Sequence, residues 1–143
     1  MKNEQAMIDT NIFLDVLLNR EGLADGSSHL LECCENHMLT GLFTASCITD
    51  IFYIVRKHTK STDAAYYAVS KIMNIVSVCD VSSSDVILAL EKHARDFEDG
   101  LLAVCAMSHE CSCIITRNKT DFRDFDISCL TPEEWLDKQK CGT

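Results

Sequence analysis

The 143-residue sequence predicts an α/β fold, a three-layer α/β/α sandwich around a mainly parallel sheet of about five strands. Two observations carry this. Short apolar stretches recur along the chain, and the longer segments between them hold apolar residues at helical spacing. Strands alternating with helices favour parallel pairing, and five strands are too few to close an eight-fold barrel. One proline and five glycines argue against a linker, so residues 1–143 are expected to form a single domain with one core.

Taken in order, a weak strand ends at Ile8 and a helical pattern covers 12–18. A second helix is expected over 28–38, a strand over 42–44, and a third helix over 47–58 with Ser46 as its cap. The fourth helix, 63–74, is capped by Thr62 and keeps Ala65, Val69 and Ile72 on one face. A strand over 75–79 leads to a fifth helix, 85–95, with Ser84 as cap and Val86, Leu90 and Ala94 turned inward. The sixth, 98–110, contains "LLAVCAM", apolar all round, which marks a helix buried against the sheet. Strands over 113–116 and 127–130 follow. "TPEEW" then starts a last helix near Pro132, with Thr131 and Glu134 as a capping box.

Composition excludes several classes. Hydrophobic residues at 47% and charged ones at 24% exclude a disordered chain. The longest apolar run, 101–107, is far short of the about 20 residues a bilayer requires. With no signal peptide read ahead of them, and several set in apolar stretches, the nine cysteines are expected to be reduced and the protein cytoplasmic. His109, Cys111 and Cys113 of "HECSC" lack a second ligand cluster at zinc-site spacing. A net charge of −9 disfavours nonspecific attraction to nucleic acid, so any nucleic-acid function must account for that sign.

The acids are the informative residues. Asp9 follows the first strand, Asp121 lies just beyond the strand ending at Thr116, and Asp50 and Asp99 fall in the early turns of helices. Ligands of open parallel sheets bind outside the carboxyl ends of the strands, where four acids from four parts of the chain could meet. Asp96 fits equally as the cap of the sixth helix and as a member of the site. Asp50, within "CITDIFYIV", is expected to face inward. A buried carboxylate must be neutralised or paired, and no basic residue lies near Asp9 in sequence. A hard cation with oxygen ligands, Mg²⁺ or Mn²⁺, meets the need. Two such ions can clamp a phosphodiester and generate hydroxide.

At these residues the chain resembles the PIN-domain ribonucleases, and more narrowly the small single-domain bacterial proteins that include VapC-type toxins. The matching stretches are "MIDTNIFLD", "TASCITDIFYIV", "DFEDGLLAVCA", "IITRNKTDF" and "LTPEEWL", in family order across nearly all of the chain. The resemblance implies a PIN-like fold and a metal-dependent endoribonuclease that uses metal-activated water and acts as the toxin of a toxin–antitoxin pair. It implies catalytic Asp9, Asp50, Asp99 and Asp121, with Asp96 joining them as metal ligands. Asn11, Ser46, Thr116 and Asn118 would be supporting polar groups. RNA would be the substrate, with a cognate antitoxin and a homodimer left open as partners. Asp50 stands where the family usually has Glu, and Asn118 where many members have Asp.

Arg117, Lys119 and Arg123, beside the fourth motif, are the expected substrate contacts. The cations of "RKHTK" (Arg56, Lys57, His58, Lys60) fit a solvated helix end slightly better. An aspartyl phosphatase of the haloacid-dehalogenase type is disfavoured because its second Asp is here Asn11. A catalytically silent PIN module that binds RNA or a partner protein is the alternative.

Overall fold

A computed structural model describes residues 3–141. Five strands are present: β1 (Gln5–Ile8), β2 (Thr40–Thr44), β3 (Ser77–Cys79), β4 (Cys113–Ile115) and β5 (Ser128–Leu130). They form one sheet in the order β3-β2-β1-β4-β5, every neighbouring pair parallel. The helices are α1 (Thr10–Leu17), α2 (Ala24–Glu35), α3 (Ala45–Thr59), α4 (Thr62–Ile75), α5 (Ser83–Lys92), α6 (Phe97–Ser108) and α7 (Pro132–Cys141), and a 3₁₀ turn spans Lys119–Phe122. The predicted α/β/α sandwich is the observed architecture.

The chain lays β2 and β3 to one side of β1, then returns to lay β4 and β5 on the other. Right-handed crossovers make this reversal change the covered face of the sheet. Helices α1 to α4 accordingly pack among themselves and on β2 and β3, while α5 packs on α6 and α6 on β1 and β4. The reversal leaves a crevice between the carboxyl ends of β1 and β4, where open parallel sheets bind ligands. Asp9 directly follows β1, and Thr116 directly follows β4.

The core explains the apolar strands. Met7, Ile8, Phe43, Ile114 and Ile115 are buried, as both faces of a parallel sheet require. Residues 100–106 of α6 are all buried, as the run "LLAVCAM" predicted. Phe13 of α1 meets Phe43 of β2 with ring centroids 4.7 Å apart. Gly41 lets α2 approach β2 closely, because a Cβ there would lie 2.9 Å from Cys34 Sγ. Among the described residues no helix is long and apolar enough to cross a membrane.

Several boundaries depart from expectation. Helix α2 starts at Ala24, four residues early, and Ile75 ends α4 instead of opening β3. The caps sit one or two residues upstream of those predicted: Thr44 for Ser46, Ser61 for Thr62 and Ser82 for Ser84. Ser82 and Asp85 form a reciprocal capping box, which anchors that start. Leu90 is 60% exposed and Ala89 is buried in its place, because α5 presents Val86, Ala89 and Ala94 beyond its end to α6. The capping box of Thr131 and Glu134 on α7 forms as expected.

Arg117, expected as a substrate contact, is engaged within the fold. Its Nε donates to Asp15 at 3.1 Å, and its terminal nitrogens donate to Leu23 O, Ser27 Oγ and both carboxylate oxygens of Glu133. Asp15 is completely buried and also accepts from Ser27 Oγ at 2.8 Å, with Arg117 as its nearer counter-charge and Arg20 at 3.4 Å as the second. This pair ties α1 and α2 to the start of α7. Removing one partner of a buried ion pair typically costs about 3–5 kcal/mol. Arg117→Ala should lose stability on that scale in urea unfolding at neutral pH. A loss below about 1 kcal/mol, the range of solvated pairs, would mean that Asp15 is not held by this arginine.

Candidate active site

A cleft of about 370 Å³ opens at the carboxyl end of the sheet, lined by Asp9, Asn11, Asp50, Glu98, Asp99, Asn118 and Asp121 among others. A smaller hollow adjoins it and shares Asp99 and Asp121, adding Asp96, Arg95 and Arg123. The four acids expected to meet, Asp9, Asp50, Asp99 and Asp121, do line one cleft.

Each acid is positioned by backbone it could not avoid. Asp9 caps α1, accepting from Thr10 N through Oδ1 at 2.8 Å. Its Oδ2 accepts from Thr116 Oγ1 at 2.8 Å, and Thr116 Oγ1 in turn accepts from Asn118 N at 2.9 Å. Asp9 N donates to Ile115 O, which continues the β1–β4 ladder by one step and sets the carboxylate over the crevice. Asp96 caps α6, its Oδ1 accepting from Asp99 N at 2.9 Å. Capping and proximity to the site thus coincide in Asp96. Asp121 is carried by the 3₁₀ turn after β4. Asp50 is half-buried and opens into the cleft from α3, neither in the core nor in bulk solvent.

The electrostatics are unfavourable without a counter-charge. Burial, followed by the charges of Asp96, Asp9 and Asp121, pushes Asp99 up to about 7. Burial likewise raises Asp9, against the lowering effect of its Thr116 and Thr10 hydrogen bonds, with Asp121 and Asp96 adding to the rise. Sequence reading missed Glu98, which burial and then Asp50 push up to about 7. Its signal was in "DFEDG", as the acid between Asp96 and Asp99, and Glu98 of α6 stands against Asp50 of α3. The acids therefore fall into two neighbouring groups, one of Asp9, Asp96, Asp99 and Asp121, the other of Asp50 and Glu98.

Other expected residues are distributed unevenly. Asn11 lines the cleft and accepts from Arg20 Nη1 at 3.1 Å. Ser46 is exposed on α3 and does not line the cleft. Lys119 is paired with Glu134 at 2.8 Å, holding that carboxyl down to about 2. Arg123 is exposed and forms no ion pair among the described residues. Arg56, Lys57 and His58 occupy the exposed last turn of α3, with Arg56 over the Tyr53 ring. No Cys is paired among the described residues, and burial pushes the Cys34, Cys105 and Cys111 thiols up to about 12.

A parallel sheet with an acid-lined crevice at its switch point defines a class of α/β proteins that bind cations or polar ligands at that edge. The chain belongs to the PIN domain family, whose model matches residues 5–120. Among solved structures it is similar to VapBC2 from Rickettsia felis, determined bound to a DNA fragment from their promoter, at 16% identity and a TM-score of 0.69 over 89% of this chain and 98% of that one. It is also similar to PAE2754 from Pyrobaculum aerophilum, at 16% identity and a TM-score of 0.67 over 99% and 98%. No curated protein matches significantly.

The raised carboxyls give stability a definite pH dependence. Asp99 and Glu98 ionise near 7 in the folded chain but near their usual 3.8 and 4.5 when unfolded. Between those values the folded state holds more protons, so stability falls as pH rises, and the loss is complete only above about 7. In a chelator the urea midpoint should therefore decline from about pH 5 to about pH 8. A midpoint that is flat or rises over that window would mean that neither burial nor the neighbouring acids raise these carboxyls.

Proposed function

We propose that the protein is a metal-dependent endoribonuclease and the toxin of a toxin–antitoxin pair. The observation that supports this best is the meeting of Asp9, Asp99 and Asp121, with Asp50 and Glu98 beside them, in a cleft whose lining holds no basic residue among the described ones, while Asp96 stands in the adjoining hollow with Arg95 and Arg123. The donor set fits Mg²⁺ or Mn²⁺: hard oxygens, several of them carboxylates, facing a polar opening. Asp9, Asp99 and Asp121 would hold the ion, with Asp96 and Asp50 at its margin. When bound, such an ion supplies charge neutralisation and Lewis-acid activation of phosphate and water.

The chain's own residues have further work. Thr116 and Thr10 N fix the Asp9 carboxylate, so that its orientation does not depend on the ligand. Glu98 can retain a proton on a carboxylate oxygen near neutrality, which lets it stand beside Asp50. With Arg117 committed to Asp15 and Lys119 to Glu134, Arg123 and Arg95 are the cations that flank the acids. They would receive the phosphates on either side of the scissile bond. This local pair offsets a net charge of −9 that otherwise repels RNA. A cognate antitoxin is proposed by likeness to the VapBC2 complex.

The decisive experiment is cleavage of defined single-stranded RNAs. Cleavage should require Mg²⁺ or Mn²⁺, stop in EDTA, and fall at least about 100-fold in Asp9→Asn and Asp99→Asn, since a lost positioning charge removes several kcal/mol of transition-state stabilisation. Metal binding without cleavage of any RNA would favour the silent binding module. Arg123→Ala should weaken RNA binding and flatten the slope of log K against log salt by about 0.7, the value for one phosphate contact on a single strand. An unchanged slope would remove Arg123 from the substrate path.

A further inference from the structure

Behind Asp50 and Glu98 of the cleft wall sits a donor of different chemistry. Cys47 of α3, only 2% exposed, donates its thiol proton to Glu98 Oε1 across 3.8 Å. Cys47 Sγ and single carboxylate oxygens of Asp50 and Glu98 all lie within 4.8 Å of one another. Cys47 and Asp50 come from successive turns of α3, Glu98 from the first turn of α6, so both helices would have to be bridged by anything bound there.

A second feature points to the same spot. Thr44 holds the N-cap position of α3 yet makes no side-chain cap bond to the helix. A capping hydroxyl ordinarily accepts from a first-turn N–H and contributes about 1 kcal/mol. Here the hydroxyl turns to the Cys47 thiol instead, fully buried, and finds no hydrogen-bond partner of ordinary geometry. A buried hydroxyl left without a partner costs about 1–3 kcal/mol, and such groups in native folds call for a ligand or an equivalent partner.

We propose that Cys47, Asp50 and Glu98 form a second cation position, of mixed sulfur and oxygen donors with Thr44 Oγ1 behind them, which takes Zn²⁺ in preference to Mg²⁺. Zinc bonds of about 2.3 Å to sulfur and 2.1 Å to oxygen place tetrahedral S and O ligands about 3.6 Å apart. The Sγ to Oε1 separation of 3.8 Å already matches that span. Thiolate is a soft donor that favours borderline-soft zinc over hard magnesium, and three protein ligands would leave a fourth position open. Binding displaces the thiol proton to solvent, with no change of oxidation state. The position shares the cleft with the proposed Mg²⁺ or Mn²⁺ group but none of its central ligands, Asp9, Asp99 and Asp121.

The test uses Co²⁺ as a spectroscopic stand-in for Zn²⁺ on the reduced full chain. Wild type should develop a thiolate-to-cobalt charge-transfer band in the near ultraviolet, which Zn²⁺ abolishes and excess Mg²⁺ does not. The band should vanish in Cys47→Ser, and Glu98→Gln should weaken Co²⁺ binding at least about tenfold. Glu98 is exposed, so that arm decides the matter even if Cys47→Ser fails to fold. Asp9→Asn, which disables the cleavage proposed above, should keep the band, separating the two readings. A wild type without the band, or a band undiminished in Cys47→Ser and Glu98→Gln, would overturn the proposal.

Discussion

A carboxylate taken out of water needs a compensating charge, and this chain buries two aspartates near its start that meet the need in opposite ways. Asp15, completely buried, is met by Arg117 at 3.1 Å, Arg20 at 3.4 Å and the Ser27 hydroxyl at 2.8 Å. Asp9, 7% exposed, receives among the described residues the neutral donors Thr116 and Thr10 N, and has Asp121 and Asp96 as charged neighbours. The first arrangement is structural and closed. The second is left open to the cleft, where a proton, or the cation proposed above, would supply the missing compensation.

The sheet makes the contrast possible. Because the chain reverses direction between β3 and β4, β1 and β4 become neighbours whose carboxyl ends diverge into a crevice. Helix α6 packs on both strands and delivers Asp96 from its N-cap and Asp99 from its first turn, while its apolar body, residues 100–106, supplies the burial that offsets their repulsion. Gly100 is part of that delivery: a Cβ there would lie 2.9 Å from Ala94 Cβ, so α6 could not start so close to the turn bearing Arg95. Stability contributed by the core is thus spent on holding like charges together, and the proposed cation would return it.

The strands and the acids were legible in the sequence because their signals are local. Parallel strands buried on both faces read as apolar runs, and Asp9 or Asp50 among apolar residues is conspicuous on its own. Helix starts were less legible because the candidates are crowded: Ser61 competes with Thr62, and Ser82 with Ser83 and Ser84. The ion pair of Arg117 was not legible because its partner Asp15 lies 102 positions away, and only the fold brings them together. Glu98 was overlooked for a related reason. Its role depends on Asp50 of another helix, and within "DFEDG" it reads as one acid among three. Leu90 was assigned inward by periodicity, but one apolar neighbour, Ala89, was enough to close that contact with α6.

The central claim, that Asp9, Asp99 and Asp121 crowd one another until a cation arrives, is tested most directly by thermal melting of wild type and Asp99→Asn with and without Mg²⁺ or Mn²⁺. Neutralising Asp99 relieves the repulsion, so the variant should melt above wild type in a chelator at about pH 8, where the acids are ionised. Metal at a hundredfold excess over its dissociation constant should stabilise wild type by about 2.7 kcal/mol and the variant by less, narrowing or reversing the order. A variant that melts below wild type in chelator, with neither protein responding to metal, would contradict the account. It would leave these aspartates as helix caps and nothing more.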